Sequence, residues 1–279
     1  MSRASIMYVG TEDSKWQAHI VDKYKEYFAL TSSFLKYAEN LQDEFVKRKI
    51  DREELGAEGI VLSFLFAKSY KTTKAALLLC KSGYPEDALI LGRASFEAAL
   101  WALYIFKDRE SAEEKAQAFI RYDAIDSKRA LHKLLDAYED RDEFRAKLQE
   151  ALKEVEKGLP KTEDECKRIC KLADKTVLDL AKNAKLLHLL YRSFYRESSS
   201  YTHSRIRSSN SYILESDRHI EFWVAPTEKG LRNNLIHMCL FLWYLMDRFN
   251  FLFGLGADEI LRQKWEELDS ICKKTDPQD

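Results

Sequence analysis

Between Tyr195 and Tyr212 the chain reads YRESSSYTHSRIRSSNSY, with three arginines, one histidine, many hydroxyls, and no carboxylate after Glu197 until Glu215. Arg196 and His203 are seven residues apart. Two helical turns separate them, so both leave a helix on nearly one face, roughly 10 Å apart at the backbone. A guanidinium donates two parallel hydrogen bonds to a phosphate, and an imidazole changes charge near neutral pH. The two side chains can therefore straddle one phosphate. Ser199 and Ser200 lie between them, Tyr195 beside them, and Arg205 and Arg207 add positive charge beyond. The competing reading of this stretch is a solvated helix end.

A second polar spot sits in PEDALILGRASFEAALWALYIFK, residues 85–107, where Arg93 and Glu97 are the charged residues between Ala88 and Phe106. Four residues apart, they share one helix face, about 6 Å along the axis. A buried ion pair adds little net stability, because desolvation can cancel its Coulomb gain. Two charges on an apolar helix therefore either pair with each other and cap a neighbouring loop, or face a polar cavity. A carboxylate accepts up to about four hydrogen bonds, so Glu97 has capacity beyond Arg93. The expected geometry sets Tyr195, Arg196, Ser199 and His203 against the Arg93–Glu97 face, with the chain leaving helix between Ser204 and Ser209. A neighbouring Glu97 would then favour the imidazolium of His203.

The elements that must hold these residues are helical. In 279 residues there are nine glycines and four prolines, little punctuation for a chain rich in Ala, Leu, Glu and Lys. The spacing predicts a single all-α domain over residues 1–279, an antiparallel bundle of seven or more helices. An N-terminal helix over 14–48 packs along the outside. Residues 50–58 form a loop. The central bundle takes 59–107 and 176–253, with Gly83 as a left-handed cap and Pro85 opening the next helix. Ser111 and Thr162 begin capping boxes, Thr176 to Arg205 is one helix, and Thr227 caps 228–253. Residues 111–168 make a charged helical excursion, 208–226 a loop or small hairpin, and 257–273 the last helix.

Composition also excludes. The net charge is −1, so any contact with RNA or a nucleotide must use a local basic patch. There is no glycine-rich phosphate loop and no HExxH motif. Cys166 and Cys170 stand one helical turn apart without a second pair, so no metal and no cofactor is expected. The five cysteines fit a reducing cytoplasm. The N-terminus, MSRASIMYVGTEDSKW, lacks an apolar signal core, and the most apolar window, 235–256, is broken by charge too soon to span a bilayer. No membrane partner is expected, and a homodimer is open. His19, His132, His188, His219 and His237 read as structural.

Arg196-Glu-Ser-Ser-Ser-Tyr-Thr-His203 resembles the Arg-x4–6-His motif of the HEPN superfamily, whose members include metal-independent RNA endonucleases of toxin–antitoxin and antiphage systems. Glu197 stands where an Asn or Asp is usual, and the chain is about twice the length of a minimal HEPN domain. A second likeness covers residues 60–250. Gly83-Tyr84, Ala88, Arg93 and Glu97, followed by Tyr191, Tyr195, Arg196 and His203, are similar to an uncharacterised bacterial all-α family of unknown function. The HEPN likeness implies an endoribonuclease: His203 as general base or acid, Arg196 stabilising the scissile phosphate, Arg93 assisting and Glu97 orienting. The alternatives are a module that binds a nucleotide or other anion without turnover, a buried Arg-Glu-His network that only holds the fold, and a helical scaffold acting through partners.

Overall fold

The computed structural model of the chain describes residues 12–138, 141–182, 184–215, 220–222 and 225–273. Helix follows helix, and the fold is an all-α bundle. The N-terminal run is two helices, α1 (Glu12–Lys23) and α2 (Lys25–Lys47), because Tyr24 (φ −106°, ψ 21°) leaves helical geometry between them. α2 buries Phe34 and Ala38 fully on its inner face, where it packs on α11 (Leu231–Phe253).

The loop expected at 50–58 is largely helix. α3 (Arg52–Lys81) starts at Asp51, whose carboxylate accepts the backbone N–H groups of Glu53 and Glu54 at 2.9 Å each. Gly56 (φ 61°) breaks this first turn, and Glu113 caps the restarted helix by accepting the Glu58 N–H at 3.1 Å. The far end of α3 closes as its sequence predicts. Gly83 (φ 83°) is left-handed, and the N–H groups of Gly83 and Tyr84 bond to the carbonyls of Cys80 (3.1 Å) and Leu79 (2.9 Å). This is a Schellman cap, and Pro85 then opens α4 (Pro85–Ile105).

The charged excursion is α5 (Ala112–Ala137), α6 (Asp142–Lys157) and α7 (Glu163–Ala173). Thr162 caps α7, accepting the Glu165 N–H at 3.2 Å. Ser111 does not cap α5: its N–H and its hydroxyl both donate to the nearer Asp108 carboxylate.

The helix expected from Thr176 to Arg205 is in pieces: α8 (Val177–Lys182), α9 (Lys185–Leu190), a π-helical turn over Tyr191–Tyr195, and α10 (Arg196–Thr202). Ala184 (φ −128°, ψ 96°) breaks the first two. Local propensity favours one rod here. Packing overrides it, because the broken path buries Leu180, Leu187 and Phe194 to 2 % exposure or less. A 3₁₀ turn (Ile206–Ser211) and an antiparallel hairpin, β1 (Ile213–Glu215) with β2 (Ile220–Phe222), then realise the insertion expected near 208–226; His219 lies outside the described residues. α11 begins three residues later than expected, and Thr227 serves the turn before it by accepting the Lys229 N–H at 3.1 Å. α12 (Asp258–Cys272) follows.

α11 is the axis of the bundle, packed on α2, α3, α4 and α12. Phe96, Phe194 and Phe241 meet at its centre with ring centroids 5.1–6.0 Å apart. Cys80 and Cys239 are fully buried in the core, and burial pushes both thiols up to about 12. Among the described residues one helix, α4, is long and apolar enough by composition to cross a membrane. It packs between α3 and α11, an environment that demands the same composition of a core helix.

Candidate functional site

Arg93 and Glu97 leave α4 one turn apart and pair, Nε to Oε1, at 3.1 Å. Tyr195, the last residue of the π-turn, sets its hydroxyl between them. It accepts from Arg93 Nη2 at 2.6 Å and donates to Glu97 Oε1 at 3.3 Å. Its ring stacks on Tyr191 (5.2 Å, 18°) and lies 4.6 Å from the Arg93 guanidinium. Burial, then the Glu97 charge, push the Tyr195 pKa up, and Arg93 opposes them. Among the described residues Glu97 bonds Arg93 and Tyr195, and not His203. Three of the expected site residues are thus brought together in a clamp that ties α4 to the π-turn.

The others go elsewhere. The π-turn sends Phe194 and Tyr195 inward and leaves Arg192 and Ser193 exposed. Beyond it, Arg196 and Ser200 continue the line of Arg192, and Glu197 and Tyr201 that of Ser193, each at a four-residue spacing that keeps them on one helix face. α10 ends at Thr202, two residues short of the expected window. Ser204 turns left-handed (φ 47°), and the N–H groups of Ser204 and Arg205 bond to the carbonyls of Tyr201 (3.1 Å) and Ser200 (2.9 Å), a second Schellman cap. His203 and Arg205 are exposed there, Ser199 is half-buried, and the side chain of Arg207 lies outside the described residues. The hydroxyls mostly serve their own backbone. Ser198, Ser200, Thr202 and Ser208 donate to the carbonyls of Tyr195, Arg196, Ser198 and Arg205 at 2.7–3.1 Å. Such back-bonding satisfies and bends a helix end.

Arg196 faces a cleft. Two adjoining cavities of ≈ 340 and ≈ 370 Å³ share Ser193, Glu197, Tyr201 and Lys229. Arg192, Arg196 and Ser200 complete the outer one. The inner one is floored by the first turns of α4 and α11, through Glu86, Asn233, Asn234 and His237. The two turns are tied together: Asn234 Nδ2 donates to the Pro85 carbonyl at 2.6 Å. Neither N-cap residue, Tyr84 of α4 or Gly230 of α11, makes a side-chain cap bond. Burial pushes the Glu86 carboxyl up, against the pull of its own backbone amide. Burial pushes His237 down to about 4, so the imidazole is neutral at physiological pH. Its ring stands edge-on to Phe194, centroids 4.8 Å apart. Tyr201, raised by burial, shares a 2.8 Å hydrogen bond with Ser211.

The cleft thus combines Arg196 and Ser200, both anticipated, with Arg192, Lys229, Glu86 and His237, which were not. The four-residue spacing of Arg192, Arg196 and Ser200 was a signal in the sequence. Nothing local marks Glu86 or His237, which join the site only because two helix starts meet. Among the described residues no group of three or more His, Cys, Asp or Glu side chains could hold a metal ion.

Residues 59–220, more than half of the chain, match the model of a family of unknown function, DUF5677. The match contains the clamp, the π-turn and α10, and stops before α11. No curated protein and no solved structure matches the chain.

Proposed function

We propose, for a chain that belongs to the DUF5677 family, that it is a binding module for a nucleotide-sized anion, held in the cleft between α4, α10 and α11. The observation that carries this reading is the placement of Arg192, Arg196 and Lys229 around one cleft into which the starts of α4 and α11 open. Helix N-termini present backbone N–H groups and a partial positive charge to anions. Arginine adds paired donors that match phosphate oxygens. Each cavity falls within the range of about 300–1,000 Å³ usual for small-molecule sites. Glu197 is the exposed carboxylate at the mouth. It opposes a very highly charged anion and leaves room for a singly phosphorylated one.

Calorimetric titration with AMP tests this. Binding in wild type should weaken about tenfold or more in Arg196→Ala, a loss of roughly 1.4 kcal/mol, and should weaken with added salt. Arg196 is exposed, so the variant keeps its fold. Absence of binding at millimolar ligand ends the proposal.

One observation favours a second reading, metal-independent RNA cleavage: Arg196 of the HEPN-like pair lines the cleft while His203 stands exposed at the end of α10. There Arg196 would stabilise the scissile phosphate and His203 would move the proton of the ribose 2′-hydroxyl. RNA incubated with the protein and EDTA decides it. Cyclic-phosphate ends that vanish in His203→Ala support cleavage, and equal background in both proteins excludes it.

A further inference from the structure

Two buried polar atoms of the cleft have no hydrogen-bond partner among the described residues. Glu86 is 6 % exposed, lines the inner cavity, and has its Oε1 buried without a hydrogen bond. His237 Nδ1, on the same floor, is also buried and unbonded. Native structures leave few buried polar atoms unpaired, and each calls for an explanation such as a water or a bound group. A carboxyl oxygen in this position calls for a donor.

The surroundings narrow the donor's kind. Phe194 and Tyr201 line the inner cavity together with Glu86 and His237, so a flat ring has aromatic neighbours. Asn234 is committed to Pro85. Arg192 and Arg196 lie at the other end, around the outer cavity, while Lys229 lines both. A ligand that fills both cavities is therefore an anion at one end and a planar, N–H-bearing group at the other. Because burial favours the neutral form of the Glu86 carboxyl, a neutral amino group suits it better than an ammonium.

We propose that Glu86 is the specificity-determining residue of the cleft: its buried oxygen accepts a hydrogen bond from the exocyclic amino group of a nucleobase, so that the ligand is a nucleoside phosphate with an amino-bearing base. This rests on the anion-binding reading and goes further, since a phosphate site alone has no use for Glu86.

The probe pair is AMP and purine riboside 5′-monophosphate, which share ring, sugar and phosphate and differ in the amino group. Wild type should bind AMP about tenfold or more tightly than the purine nucleotide, because a site built to pair a polar group rejects the analogue that lacks it. Glu86→Met should bind both alike, and Arg196→Ala should weaken both while keeping their ratio. The wild-type comparison needs no variant, so it stands even if Glu86→Met misfolds. Equal affinities in wild type, with Arg196→Ala still weakening both, overturn the role of Glu86 and leave the anion site intact. An AMP preference that persists in a folded Glu86→Met also overturns it. If neither nucleotide binds wild type, both proposals fall together.

Discussion

Replacing Tyr195 by phenylalanine removes one oxygen and keeps the ring. That oxygen holds Arg93 at 2.6 Å and Glu97 at 3.3 Å. Hydrogen bonds to charged groups contribute roughly 1.5–3 kcal/mol each. Two features lower the figure here. The Glu97 contact is long, and the Arg93 and Glu97 side chains are 26 % and 33 % exposed, so water replaces part of what is lost. Taking the Arg93 bond at the low end and the Glu97 bond near zero leaves a cost of about 1–2 kcal/mol. The ring can keep its stack on Tyr191, so no packing loss is added. For a domain of this size the cost corresponds to a fall in melting temperature of about 2–8 °C. Thermal unfolding followed by circular dichroism measures it in wild type, Tyr195→Phe, Glu97→Gln and the double variant. Because the residues share one network, the single effects should exceed additivity by about 0.5 kcal/mol or more. If Tyr195→Phe melts within about 1 °C of wild type and the substitutions simply add, the clamp does not hold α4 to the π-turn, and the reasoning that separates it from the ligand site is wrong.

Gly83→Ala should destabilise by about 2–4 kcal/mol, as the left-handed backbone and the overpacking add. The new Cβ would lie 2.5 Å from that of Pro226 at φ 83°; a urea midpoint equal to that of wild type would refute it. His237 should make stability fall with acid. Above pH 6.5 the imidazole is neutral folded and unfolded; between 6.5 and about 4 the unfolded chain takes up a proton that the folded one refuses. The full cost approaches about 3 kcal/mol, and His237→Phe should flatten the profile over that window. Glu86, whose carboxyl is raised by burial, acts with the opposite sign, so an unchanged acid limb in His237→Phe would show that the imidazole is not held neutral.

What the sequence discloses here is what neighbours along the chain decide. Gly83 and Pro85 fix a cap and a helix start by their own backbone limits, and four-residue spacing joins Arg93 to Glu97. Thr162 caps as its spacing implies, but Ser111 is captured by Asp108, a competitor just outside the motif. The breaks at Tyr24 and Ala184 carry no glycine or proline, because they arise from where Phe34, Leu187 and Phe194 must be buried. The clamp was half legible: Arg93, Glu97 and Tyr195 were grouped correctly, but the π-turn, invisible to periodicity, placed Arg196 in another cavity. Glu86 and His237 are about 150 residues apart in the chain, and only the tie between two helix starts makes them neighbours.

The two core thiols give the molecule a built-in clock. A thiol must ionise to react, and Cys80 on α3 and Cys239 on α11 are sealed from solvent and held near pKa 12. Cys272, on the last helix, is exposed. An alkylating reagent therefore meets sulfurs of graded access: Cys272 at the surface, Cys166 and Cys170 half-buried on α7, and a buried pair that reacts at the pace at which the bundle parts. Mass counted against time separates them without any introduced label, and the slow phase reports how often this chain opens its centre.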